Sequence, residues 1–86
     1  MALRLIEATV PDNQVEQARE ILSGDDILAK WSYDPDDENT VVAAVLDASD
    51  VEGVLDKLSS RFESSRDFRA MVYTVEAMMP RPPEKP

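Results

Sequence analysis

The chain has 86 residues and a net charge of −9, from 18 acidic against 9 basic side chains, with no cysteine and no histidine. That length supports one domain with a modest core, since so short a chain buries only about 60% of the surface its unfolded form exposes. The charge is the opposite of a nucleic-acid footprint and is repelled by anionic membranes; the missing residue types remove disulfides, thiolate chemistry and the usual neutral-pH acid–base group, and fit a reducing compartment.

Leu3–Val10 reads as the first strand. Both of its alternating sets, Leu3, Leu5, Glu7, Thr9 and Arg4, Ile6, Ala8, Val10, carry apolar residues, as in a central strand covered on both faces. Pro11 stops it, and Asp12 is the expected N-cap of a helix over Asp12–Ser23. Val15, Ala18, Ile21 and Leu22 form that helix's apolar stripe, and Gly24 is placed to close it in a left-handed conformation. Ile27–Tyr33 is the second strand. Asp34–Asn39 is a turn cluster that makes it a hairpin with Thr40–Leu46, a third strand apolar on both faces.

Ser49 to Glu52 has the spacing of a capping box ahead of a helix over Asp50–Phe62. Val51, Val54, Leu55, Leu58 and Phe62 lie on one stripe of that helix. Gly53 inside it costs about 1 kcal/mol of helix propensity, so it either permits close packing or is merely tolerated. Phe68–Ala77 is the fourth strand. Met78–Pro86 holds four prolines in nine residues and excludes helix and central strand. The expected division is a domain over residues 1–79 and a proline-rich disordered tail or linker over 80–86.

No stretch approaches the roughly 18 apolar residues of a membrane span, and the N-terminus lacks the apolar core and cleavage site of a signal peptide. A soluble, cytoplasmic domain is expected. The element order β-α-β-β-α-β is the split βαβ, or ferredoxin-like, pattern. It predicts an α+β two-layer sandwich with an antiparallel sheet in the order 4-1-3-2. Right-handed crossovers put both helices on one face.

Leu3-Arg4-Leu5-Ile6-Glu7 with Val10-Pro11, and Val75-Glu76-Ala77 followed by Pro80, resemble the N-terminal region of a family of prokaryotic integral membrane proteins. It is the domain-of-unknown-function 389 family, labelled "conserved hydrophobic protein", in which a small soluble domain precedes several transmembrane helices. The resemblance implies a membrane domain in cis as partner and a tail that connects to it. It brings no catalytic residues. The chain stops before any membrane segment, as a cut-out domain or a stand-alone relative would.

Asp34, Asp36, Asp37 and Glu38 put four carboxylates in five positions. Calcium favours such oxygens, but the glycine and closing glutamate of a calcium loop are absent, and a solvated hairpin tip explains the cluster. Asp25, Asp26, Asp47 and Asp50 fit turns and caps. Glycosidase-like carboxylate pairs need a cleft that a sandwich this small does not offer. Arg61, Arg66 and Arg69 form the one basic cluster, read either as an anion or headgroup site or as charges favourably placed near a helix C-terminus. Two glycines leave no phosphate loop. Trp31 and Tyr33 either stack on a ligand or partner or anchor an edge; Met71, Met78 and Met79 read as core and junction residues. No residue is assigned a catalytic, cofactor-binding or metal-binding role.

Two helices cover one face of a four-stranded sheet, not both. Leu3 and Leu5, one set from the third strand, and Phe68, Ala70 and Val72 from the fourth are expected on the open face, with Glu7 as its polar boundary. An uncovered apolar patch marks an interaction site. The expected function is a non-catalytic sensory or interaction domain of a membrane-anchored protein, a homo-oligomer or partner of a membrane domain. The alternative is a stand-alone regulatory domain that binds a small molecule. The acidic, lysine-poor composition fits either plain solubility or adaptation to high salt. Under the second reading, screening relieves self-repulsion, and Tm rises as KCl goes from dilute to molar; a flat or falling Tm removes that reading.

Overall fold

Residues 2–65 and 67–79 are described by a computed structural model. The elements are β1 (Leu3–Pro11), a 3-10 turn (Asp12–Gln14), α1 (Val15–Ile21), β2 (Ile27–Tyr33), β3 (Asn39–Asp47), a second 3-10 turn (Ala48–Asp50), α2 (Val51–Phe62) and β4 (Arg69–Val75). The sheet runs β4-β1-β3-β2 with every pairing antiparallel, the ferredoxin-like order expected. The proline-rich segment 80–86 lies outside the described residues.

β1 and β3 form the centre. They pair from Leu3 opposite Asp47 to Pro11 opposite Asn39, and β4 flanks β1 from Leu3 opposite Val75 to Thr9 opposite Arg69. On the edge of β3, β2 carries a register shift between Ile27 and Ala29. Ile6, Ala8 and Val10 with Val42, Ala44 and Leu46 form the sheet's contribution to the core, against Ala18, Leu22, Val54, Leu58 and Phe62 from the helical side. Phe62 closes one end by stacking on Phe68, with ring centroids 5.2 Å apart.

Both helices begin differently from the expectation. Asp12 does not cap α1. Pro11 holds the N-cap position of a 3-10 turn that contains Asp12. The Asp12 carboxylate instead accepts from the buried Thr40 hydroxyl at 2.7 Å, and Asp34 lies 2.9 Å from the same hydroxyl. Thr40 has one proton for two acceptors, so this contact ties the hairpin base to the start of α1. Ahead of α2, Ser49 sits within the second 3-10 turn and donates from its amide (3.0 Å) and its hydroxyl to Asp47, which replaces the Ser49–Glu52 box. In each case the tighter turn moves the first free amides a residue or two from where α-helical spacing puts them. Gly24 does not adopt the left-handed conformation; Leu22 ends α1 by donating to the Ala18 carbonyl at 3.0 Å.

Gly53 has open space where a Cβ would stand, so close packing does not require it. Gly53→Ala is expected to stabilise the fold by about 0.5–1 kcal/mol through helix propensity. Phe62→Ala, which empties the end of the core, is expected to cost about 3–5 kcal/mol. Urea unfolding of the two variants checks both signs.

Candidate functional site

The residues of β1 that miss the core point to the other side of the sheet. Antiparallel partners share a face, so Leu3, Leu5, Glu7 and Thr9 are joined there by Val45, Ala43 and Val41 from β3. Val75, Tyr73, Met71 and Arg69 join them from β4, and Ala29, Trp31 and Tyr33 from β2. Among the described residues no helix lies on this face, yet Leu3, Val41, Ala43 and Val45 are buried. Large side chains on the same face account for that burial. Trp31, Tyr33, Met71 and Tyr73 stand on it and remain 41–48% exposed themselves.

The β4 residues named from the sequence are therefore on the wrong side. Phe68 packs against the helical core, while Ala70 and Val72 register opposite Ala8 and Ile6. Both alternating sets of this strand are apolar, so periodicity could not set its phase. A better signal was available: the link from Phe62 is short, and it holds Phe68 on the helical side. Leu3 and Leu5 do lie on the uncovered face. Met71, expected in the core, lies there too, whereas Met79 is almost fully exposed.

Glu7 sits in the middle of this apolar field. It lies on a central strand between Ala43 and Met71, and its carboxylate accepts from the Tyr33 phenol at 3.3 Å. Tyr73 approaches from the other side, with its hydroxyl 3.6 Å from the Met71 sulfur. Hydrogen bonding to Glu7 is the leading reason that the Tyr73 pKa lies above the usual 10.0, with desolvation and the charges of Glu7 and Tyr33 adding to it. Tyr33 is raised chiefly by desolvation, then by the Glu7 charge and hydrogen bond. One carboxylate thus organises both tyrosines of the chain, a constellation that alternation of the strand residues did not reveal.

The other candidates do not converge. Arg61 lines an open depression of about 510 Å³ on the helical layer with Ile21, Asp56, Lys57 and Ser60. Arg69 lies on the uncovered sheet face, and Arg66 lies outside the described residues. Arg61 and Arg69 therefore do not share an anion site; the sheet separates them. In the acidic hairpin, Asp36 accepts from the Glu38 and Asn39 amides, both at 2.8 Å, and those bonds hold its carboxyl below the usual range. Among the described residues no group of three or more carboxylates is arranged to hold a metal ion. No helix among them is long and apolar enough to cross a membrane.

No protein-family model and no curated protein sequence matches the chain. Its fold matches solved structures. One is CPII, a nitrogen regulatory PII-like protein from Thiomonas intermedia K12 bound to ADP, AMP and bicarbonate. It has a TM-score of 0.76 and 13% identity, over 93% of this chain and 94% of that one. Another is a Bacillus cereus protein related to NIF3, at a TM-score of 0.67 and 14% identity over 88% of this chain but 26% of that one. A third is the de novo designed protein Foldit4, at 0.60 and 14% over 90% and 98%. At these identities the likeness is one of fold, and its extension to a designed chain separates the fold from any single function.

The Glu7 cluster is directly testable, because phenolate absorbance reads only Tyr33 and Tyr73. Glu7→Gln is expected to move both ionisation midpoints down toward 10.0, Tyr73 further than Tyr33, whose leading cause is burial. The native state holds these phenolic protons more tightly than the unfolded chain. Their contribution to stability is therefore complete below pH 10.0 and is lost as pH rises through the native values. An unchanged titration in Glu7→Gln removes the cluster.

Proposed function

We propose that this chain is a non-catalytic regulatory domain whose working surface is the uncovered face of its sheet. The observation that carries the reading is the composition of that face. Aliphatic residues lie at its base and Trp31, Tyr33, Met71 and Tyr73 stand half-exposed above them. Aromatic residues and methionine, with little lysine or acid, are the mixture that protein interfaces concentrate at their centres. Among the described residues no catalytic constellation competes with this reading: Glu7 is a lone carboxylate held by phenols, and Asp12, Asp34, Asp36 and Asp47 are engaged in turns and at the hairpin.

Association through this face accommodates two settings. In one, the domain is the soluble N-terminal part of a membrane protein, as the resemblance carried by Leu3–Glu7 with Val10-Pro11 and by Val75–Ala77 with Pro80 implies. A reading frame that continues past Pro86 into apolar stretches of about 20 residues supports that setting. In the other, the domain acts alone and binds a small molecule. The fold likeness to CPII, a nitrogen regulatory protein solved with nucleotides and bicarbonate, favours a regulatory ligand-binding role of this kind. Calorimetric titration with ADP, AMP and bicarbonate tests that second reading.

Leu5→Asp tests the face itself. Leu5 is opposite Val45 and Tyr73 and outside the helical core, so its replacement leaves the interior intact. Sedimentation equilibrium is expected to show self-association of the wild type and a folded monomer for Leu5→Asp, with circular dichroism unchanged. A monomeric wild type at high concentration excludes self-association as the function. An unfolded Leu5→Asp chain shows that the face serves the monomer rather than a partner.

A further inference from the structure

We infer that the occupant of the uncovered face is a second copy of this chain, seated face to face about a two-fold axis, with Glu7 of each copy paired to Arg69 of the other. The inference rests on the reading of this face as an association surface and specifies how it associates.

Three positions on the face carry charge. Asp47 is at one margin, opposite Leu3, and its carboxylate accepts from Ser49. Glu7 is central and Arg69 lies at the outer strand. Because Glu7 is opposite Met71 and Arg69 is opposite Thr9, the acid and the base are diagonal neighbours across β1 and β4. They make no ion pair with each other among the described residues. Glu7 is half-buried and is engaged by the two phenols alone, Tyr33 at a long 3.3 Å and Tyr73 from the other side, so a carboxylate with about four acceptor sites keeps capacity in hand. Any partner that covers Glu7 removes water from it, and a buried carboxylate without a cation is costly. The partner must therefore bring a cation to the centre of an apolar contact.

A second copy brings one. A two-fold axis in the plane of the contact, perpendicular to the line from Glu7 to Arg69 and midway along it, exchanges the two positions. Forming one Glu7–Arg69 pair across the interface then forms the other, which is the self-complementarity an isologous dimer requires. Stacked sheets stand about 10 Å apart, a gap that a glutamate and an arginine extended toward each other can bridge. Four strands at about 4.8 Å spacing and seven to nine residues long make a face of roughly 500 Å² in projection. Full coverage on both copies sets an upper limit on the order of 1,000 Å², and an axis between Glu7 and Arg69, toward the β4 side of the face, buries less, which makes the dimer a weak one. The chain's −9 charge opposes pairing, but most of that charge lies off this face, at the hairpin tip and in the turns beside the helices.

Two single charge reversals test the arrangement. In Glu7→Arg the new arginine meets Arg69 of the other copy. In Arg69→Glu the new glutamate meets Glu7. Each variant alone is expected to lose at least tenfold in dimer affinity by sedimentation equilibrium. Mixed in equal amounts, the two are expected to regain the dimer mass, because both cross-pairs again join opposite charges. Complementation is its own control for folding, since unfolded chains could not restore a dimer. If the wild type dimerises and Leu5→Asp abolishes the dimer, but the reversals dimerise as the wild type does or fail to complement, the Glu7–Arg69 pairing is wrong while the face remains the association surface. A wild type with the mass of three or more chains overturns the two-fold arrangement. A monomeric wild type overturns both the arrangement and self-association through this face.

Discussion

Strand β3 is buried on both sides, and the molecule owns only enough helix to cover one. Seven consecutive residues, Thr40–Leu46, are shielded from water. The helical layer accounts for Val42, Ala44 and Leu46. Among the described residues, the sheet's own side chains are what shields Val41, Ala43 and Val45. Large residues on β2 and β4 carry this second layer: Trp31 opposite Ala43, Tyr33 opposite Val41, and Tyr73 and Met71 beyond β1. The small Ala43 leaves room for its larger neighbours on the flanking strands. A monomer built this way hides its central strand by presenting its aromatics.

The same constraint determines where polarity is tolerated. Glu7 replaces an apolar residue at the centre of the self-made layer and is held by the phenols that flank it. At the strand ends Thr40 is fixed between Asp12 and Asp34, and Asp47 gathers the start of the turn before α2. The hairpin tip is organised by Asp36 and its neighbouring amides. Asp12, Asp34, Asp36 and Asp47 thus act as local fasteners of turns between elements.

The order and type of the four strands and two α-helices could be read from the sequence, because the apolar periods of the two helices and of β1 to β3 are strong and the turns are marked by Pro, Asp and Gly. The sheet order followed from chain connectivity. What escaped reading were features set by geometry over a few residues. The 3-10 turns before α1 and α2 displaced Asp12 and Ser49 from their expected capping roles. The phase of β4 was hidden because both its sets are apolar, and only pairing with β1, Leu5 to Tyr73 and Ile6 to Val72, decides it. The arginines looked adjacent in sequence, yet Arg61 and Arg69 end on opposite layers because the chain passes from helix to sheet between them. The Tyr33–Glu7–Tyr73 cluster joins three strands, a relation that no local pattern encodes.

The register shift between Ile27 and Ala29 bears on how this sheet meets its surroundings at its rims. β2 is an outer strand whose backbone is kinked there, and it also carries Lys30 and a serine, Ser32, that accepts from Arg19 at 3.0 Å. Bulges and charged side chains are the devices by which edge strands resist adding another chain. β4, the opposite rim, shows no such shift against β1 and holds an unbroken run from Arg69 to Val75. The sheet is therefore polar in the geometric sense, with one blunted rim and one open rim. Strand addition through β4 of two copies turns both blunted rims outward and stops there. Growth of the sheet by strand addition therefore ends at two copies, a limit that matters for a chain with so much exposed aromatic surface.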